Sequence, residues 1–166
     1  SVDLVVSSPP YNVGIEYASN DDELAWSEYD VLMGGVLLEM FRVVRSGGRV
    51  AWNVPSFSRR QNLYERFLRL FLAAGFKQYG EIIWDKDQIS SRTAWGSFCS
   101  PSEPVVLSGY EYVLLFNKGD RNHGPGRSDM SKEEFVAWTN GMWRIRPETD
   151  SNHPAPFPLA LPQRLI

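Results

Sequence analysis

The chain has 166 residues, 43% of them hydrophobic and 22% charged, and a net charge of −3; this is one domain's worth of core, and the charge argues against holding nucleic acid by electrostatics alone. No apolar run is long enough for a bilayer span and no signal-peptide pattern opens the chain, so no membrane partner is expected. Cys99 is the one cysteine and the two histidines lie far from it, so no intramolecular disulfide forms, no metal site is expected, and the setting is read as cytoplasmic.

The first predicted element is a buried strand over Val2–Val6, and it runs straight into Ser7-Ser8-Pro9-Pro10-Tyr11-Asn12. Proline lacks an N–H and fixes φ, so the strand stops here and the residue before each proline is driven to extended geometry. The carbonyls of Ser8 and Pro9 are then expected to point outward, free of any ladder. An exocyclic amine placed there finds two acceptors, a carbonyl and Ser8 Oγ, which would localise its lone pair for attack on an electrophilic methyl. Tyr11 would stack on the ring that carries the amine, as in enzymes that act on extruded bases. The same six residues also read as a strand end with a Pro-Pro turn and a packing tyrosine.

A polar loop from Gly14 to Trp26 follows, a candidate gate whose Asp21, Asp22 and Glu23 are expected to be solvated. Ser27 and Asp30 predict the cap of a helix running to about Arg45, with Val31, Leu32, Leu38, Phe41 and Val44 toward one face. Gly34 and Gly35 weaken that helix by about 1 kcal/mol each relative to alanine, and tight packing against them is the expected compensation. Ser46-Gly47-Gly48 ends it, and Arg49–Val54 is a second strand closed by Pro55. Ser58 and Gln61 predict the cap of a second helix, with Leu63, Phe67, Leu70, Phe71 and Ala74 as its stripe and Gly75 as its stop.

Phe76–Trp84 and Tyr110–Asn117 read as further strands, separated by a long polar stretch that contains Arg92-Thr93-Ala94-Trp95-Gly96-Ser97. Such a stretch in a compact domain is usually functional. Ser131 and Glu134 cap one more short helix, and His153-Pro154-Ala155-Pro156-Phe157-Pro158 is extended before a helical start at Leu159. Alternating strands and helices predict an α/β sheet covered on both faces. Arginines crowd the stretch from Arg42 to Arg69, which leaves a local basic face open; as a plainer reading, most are solvated residues near helix ends.

The ordered set of motifs resembles the permuted (beta-group) DNA amino-methyltransferases, which use S-adenosylmethionine to methylate the exocyclic amine of cytosine or adenine. The resemblance runs through Ser8-Pro9-Pro10-Tyr11, Val43-Val44-Arg45-Ser46-Gly47-Gly48-Arg49, Val50-Ala51-Trp52-Asn53-Val54-Pro55 and Ala74-Gly75-Phe76. It continues through Glu81-Ile82-Ile83-Trp84-Asp85-Lys86, Arg92 to Ser97, Tyr110 to Lys118 and His153 to Pro158. It implies a Rossmann-like methyltransferase sheet with helices on both faces, present here in part and lacking the half that carries the glycine-rich loop.

On that resemblance Ser8, Pro9, Pro10 and Tyr11 are the catalytic motif, and serine in first position is similar to the cytosine-N4 branch. Ser7, Ser8, Pro154, Phe157 and Pro158 would line the methionine end of the cofactor, and Asn12, Arg92, Trp95 and Ser97 would face double-stranded DNA. The implied division is a catalytic half over 1–86, a target-facing loop over 87–109, a strand and variable region over 110–152 and a cofactor-side segment over 153–166. The chain is expected to be a fragment of a longer prokaryotic or phage-like reading frame, with weak or lost cofactor binding. Adenine N6 is the alternative target. A non-catalytic module that pairs with itself or another chain through an exposed sheet edge is the alternative function. Cys99, between Phe98 and Ser100, is read as a packing residue and not as the nucleophile of cytosine-C5 chemistry.

Overall fold

In the computed structural model, which describes residues 1–16, 22–58, 61–87, 108–120, 128–148, 156 and 158–166, five strands form one mixed sheet. They are β1 (Val2–Ser7), β2 (Val44–Val54), β5 (Phe76–Asp85), β6 (Tyr110–Lys118) and β7 (Met142–Arg144), in the spatial order β1-β2-β6-β5-β7. β1 and β2 are parallel, joined through helix α1 (Trp26–Val43). β6 runs antiparallel to both β2 and β5, and β7 is parallel to β5. Helix α2 (Leu63–Ala73) returns the chain from β2 to β5, after a small hairpin of β3 (Phe57–Ser58) and β4 (Gln61–Asn62).

Period-two alternation assigns the sheet residues to two cores. Val50, Trp52 and Val54 of β2 and Leu114 and Phe116 of β6 face α1 and α2, where they meet Tyr29, Met33, Leu37, Phe67 and Phe71. Phe71 stacks on Phe116 with ring centroids 4.0 Å apart and meets Trp52 edge-on. On the other face Ile82, Trp84, Val113 and Trp143 pack with Ile145 and with Leu161 of helix α4 (Ala160–Leu165). The Trp84 indole donates to the Ile145 carbonyl at 2.7 Å, which ties the segment after β7 onto the sheet. Both faces are therefore covered, as the alternation of elements predicts.

The helix termini and faces differ from expectation in instructive ways. α1 begins at Trp26 after Ala25, with no side-chain cap, and Asp30 lies inside it as the ion-pair partner of Arg66 on α2. Its buried stripe is Tyr29, Met33 and Leu37, continued by Phe41 and Val44, while Val31 is 79% and Leu38 58% exposed. Both faces of this helix carry large apolar residues, so spacing alone does not select the buried one. Gly34 and Gly35 meet nothing within 4 Å of where a Cβ would stand, so the tight packing expected at them is not what the described residues provide.

The stretch Ser46-Gly47-Gly48 belongs to β2 rather than to a helix stop, and the β1–β2 register slips between Val2 and Leu4. Gly48 is required there, because a Cβ would stand 2.7 Å from Val44 Cγ1 and 3.1 Å from the Asp3 carbonyl. α2 is capped by Asn62, which accepts from the Glu65 N–H at 3.0 Å, in place of the Ser58–Gln61 pair. Gly75, with φ +101°, stops it as expected. The short helix α3 (Lys132–Trp138) has the predicted capping box of Ser131 and Glu134. β7 is too short for sequence periodicity to reveal.

Candidate active site

Ligand sites in open α/β sheets lie outside the carboxyl ends of the parallel strands, and the Ser7–Tyr11 segment occupies that position on β1. Ser7 is the last residue of β1 and pairs with Trp52, so Ser8 lies beside Asn53 at the end of β2. The antiparallel register puts the beginning of β6 at the same end of the sheet, with Tyr112 opposite Val54. Residues from 8, 53 and 111 are thereby gathered on one rim.

The turn is held from both sides. The Tyr29 hydroxyl, on the first turns of α1, donates to the Pro10 carbonyl at 2.6 Å. Burial pushes that phenol well above the ordinary tyrosine range, with the Asp22 carboxylate adding to the effect, so it stays a neutral donor. Of the outward carbonyls, Pro10's is thus occupied. That of Ser8 meets only a long 3.4 Å contact from Ser7 Oγ, and that of Pro9 enters no hydrogen bond among the described residues.

Beyond the turn, Asn12 and Asp22 lock the following loop. Asn12 stands at φ +56°, a left-handed conformation that asparagine tolerates better than most residues. Its side chain both donates to and accepts from the Leu24 backbone, at 2.9 and 2.8 Å. With its amide engaged in this way and 1% of its surface exposed, Asn12 shapes the loop, and the DNA contact expected of it would require that side chain to be released. Asp22 is buried rather than solvated, and its carboxylate accepts from the backbone N–H groups of Asn12, Val13 and Ile15 at 2.8 to 3.0 Å.

On the other side of the turn the Tyr11 hydroxyl donates to Glu111 Oε2 at 2.9 Å. The same oxygen accepts from the Asn53 side-chain amide at 2.7 Å, and Lys86 binds the second oxygen. Sequence reasoning placed Glu111, Asn53 and Lys86 within motifs but gave none a role. The available signal was a carboxylate and an amide interrupting otherwise apolar strands, since polar groups buried in a sheet need partners.

A cavity of about 310 Å³ opens beside the turn, lined by Ser7, Ser8, Pro9 and Pro10 on one side and by Leu32, Met33, Val36 and Trp52 on another. Among the described residues that line it there is no lysine or arginine. Hydroxyls, prolines and an apolar wall without positive charge suit a cationic group with apolar substituents, which is the character of a sulfonium. Pro158 is buried ahead of α4, where its carbonyl accepts from Leu161. Arg92, Trp95, Ser97, Pro154 and Phe157 lie outside the described residues.

The comparisons with known proteins bear on this geometry. A family profile for DNA methylases of the N6/N4 group matches residues 2–166. Type II methyltransferase M.MjaVI of Methanocaldococcus jannaschii is 39% identical over 153 residues, which is 90% of this chain and 79% of its own. M.MjaI of the same organism is 28% identical over an alignment that takes in the whole chain and 69% of the relative. Among solved structures, TTHA0409 of Thermus thermophilus, a candidate DNA modification methylase, superposes with a TM-score of 0.71 at 26% identity. The cytosine-N4-specific PvuII DNA methyltransferase, at 17% identity and a TM-score of 0.67, shares the fold. Each superposition takes in 99% of this chain but only 65% and 62% of the respective solved protein.

Proposed function

The chain belongs to the N6/N4 DNA methylase family, and from that membership we propose that it methylates the exocyclic amine of a base in double-stranded DNA, cytosine N4 foremost, with S-adenosylmethionine as donor. The observation that carries this reading is the Ser8-Pro9-Pro10-Tyr11 turn at the carboxyl end of β1, where, among the described residues, the Pro9 carbonyl is unbonded and the cavity beside it is lined by no lysine or arginine. S-adenosylmethionine, when bound, supplies an electrophilic methyl group on a good leaving group.

The chain's own residues supply acceptors and position. The Pro9 carbonyl and Ser8 Oγ would each accept a hydrogen bond from the amine, so that its lone pair points at the methyl, while Tyr11 gives the extruded ring a face to stack on. Transfer would leave the donor as a neutral thioether, and the methylated amine would lose one proton to solvent. Ser7 and Ser8 border the methionine end of the donor; Pro154, Phe157 and Pro158 are assigned to its far side, beyond the described lining of the cavity, to which Pro158 does not belong. Arg92, Trp95 and Ser97 are assigned to the DNA side. Serine in the first position of the motif favours cytosine over adenine N6, and a cytoplasmic, prokaryotic or phage setting goes with this reading.

The test is methyl transfer from labelled S-adenosylmethionine to duplex DNA by the full-length protein, followed by nucleoside analysis. N4-methylcytosine is the expected product, and N6-methyladenine moves the target to adenine. Ser8→Ala and Tyr11→Ala should each abolish transfer while leaving the melting temperature within a few degrees of wild type; unchanged transfer in both overturns the assigned roles. A second reading, an assembly module, is favoured by the outer edge of β1, which has no strand partner among the described residues, and by the exposed apolar side of α1. Absence of cofactor binding at millimolar concentration, together with concentration-dependent self-association, would support it instead.

A further inference from the structure

Glu111 is a carboxylate buried in a sheet, and burying a charge costs more than burying an apolar side chain of similar size even where the charge is paired. It is the second residue of β6, 7% exposed, in a strand whose remaining buried positions are mainly apolar. Its partners come from three other places in the chain: Tyr11 after β1, Asn53 near the end of β2 and Lys86 just past β5. Asn53 Nδ2 also donates to the Tyr112 carbonyl at 3.3 Å, so both acceptors lie on its amino side and the amide has one orientation. In that orientation Asn53 Oδ1 is buried without a partner among the described residues.

A network with an orphaned acceptor is a poor stabilising device, because an incompletely satisfied polar cluster is worth less than apolar packing. What the arrangement does achieve is geometric. Glu111 Oε2 holds the end of the Tyr11 side chain, Asn53 holds the same oxygen from the opposite strand, and Lys86 neutralises the other oxygen from a half-buried position in which its ammonium also lies 5.0 Å from the Trp84 ring centroid. The aromatic residue of the Ser8–Tyr11 turn is thereby tied by its hydroxyl to two neighbouring strands and a cation.

We propose that Glu111 is the positioning residue of this site: it sets the Tyr11 ring through the phenol hydroxyl, with Asn53 and Lys86 fixing the two carboxylate oxygens. The inference rests on the methyl-transfer reading above and adds to it a residue that is not among those lining the cavity. Loss of the tether leaves the ring free to shift by on the order of 1 Å, a displacement that can cost about a hundredfold in rate.

The experiment measures kcat for methyl transfer to duplex DNA, KM for both substrates, S-adenosylmethionine affinity by calorimetry and the melting temperature, in wild type, Tyr11→Phe, Glu111→Ala, Glu111→Gln and the double variant Tyr11→Phe/Glu111→Ala. Glu111→Ala should lower kcat by about ten- to a hundredfold with cofactor affinity within about twofold of wild type. Glu111→Gln, which keeps an oxygen for Tyr11 and Asn53, should restore most of the loss. Since Glu111 acts through the phenol, its removal in the Tyr11→Phe background should add little, the signature of one shared interaction.

Additive losses in the double variant, or a parallel fall of cofactor affinity, melting temperature and kcat, overturn the positioning role while leaving the methyl-transfer reading intact. A full-length wild-type protein that binds S-adenosylmethionine and duplex DNA yet transfers no methyl group overturns the reading and the inference with it.

Discussion

Two buried carboxylates flank the Ser8–Tyr11 turn, and they are built in opposite ways. Among the described residues Asp22 accepts only backbone N–H groups, all from residues 7 to 10 positions away in the chain. Glu111, among the same residues, accepts only side chains, from partners 100, 58 and 25 positions away. The first closes a loop on itself and can form as soon as that loop does; the second exists only once β1, β2, β5 and β6 are assembled. Local anchoring fixes the backbone that leaves the turn, whereas long-range anchoring fixes the aromatic ring on it.

The difference predicts that the two acids fail differently. Asp22→Ala leaves three backbone donors without their acceptor, and it should cost about 2–3 kcal/mol of stability, read by chemical denaturation. Hydrogen exchange should quicken at Asn12, Val13 and Ile15 while the sheet stays protected; a protein equally stable and equally protected there would remove the distinction between the two acids. Tyr29→Phe tests the other backbone hold on the turn, since it strands the Pro10 carbonyl, and should cost about 1 kcal/mol.

That phenol also gives a pH dependence with a definite sign. Burial raises the Tyr29 pKa in the folded protein above its ordinary value of 10.0, so the unfolded chain releases the proton first as pH rises. Its contribution is complete below about pH 10 and is lost above it. The fall in melting temperature between pH 9 and 11 should be shallower in Tyr29→Phe, and identical slopes would count against a buried neutral phenol. The smallest effect is expected from Asp120→Asn, whose exposed ion pair with Lys77 is screened by water and salt. Its melting temperature should match wild type, which sets the floor against which the buried acids are judged.

The features legible in the sequence are those with local causes. The capping box at Ser131, the stop at Gly75, the ends of β5 and β6 to within a residue, and the turn at Pro9-Pro10 each follow from a few adjacent residues and their backbone preferences. The buried face of α1 was not legible, because Val31 and Leu38 compete with Met33 and Leu37 for the same periodic signal. The α2 cap lies four residues beyond the Ser58 that the spacing predicts, since Ser58 and Asn62 both fit the chemistry and only the β3–β4 hairpin decides between them. The charge run at Asp21-Asp22-Glu23 looks like a solvated face in one dimension, yet Asp22 turns inward to backbone donors. Glu111 was beyond sequence reasoning for a stronger reason: its partners are set by strand order, and strand order is not written in any one segment.

Pro9 and Pro10 bring a last consequence. Each contributes a carbonyl and no N–H, so this part of the rim can receive hydrogen bonds but cannot give them, and Tyr29 has already taken one of the two oxygens. An amino group arriving at Pro9 meets an acceptor, whereas a keto oxygen in the same place meets another lone pair. Under the proposed function, the two prolines that end β1 sort amino-bearing pyrimidines from keto-bearing ones by repulsion as much as by attraction.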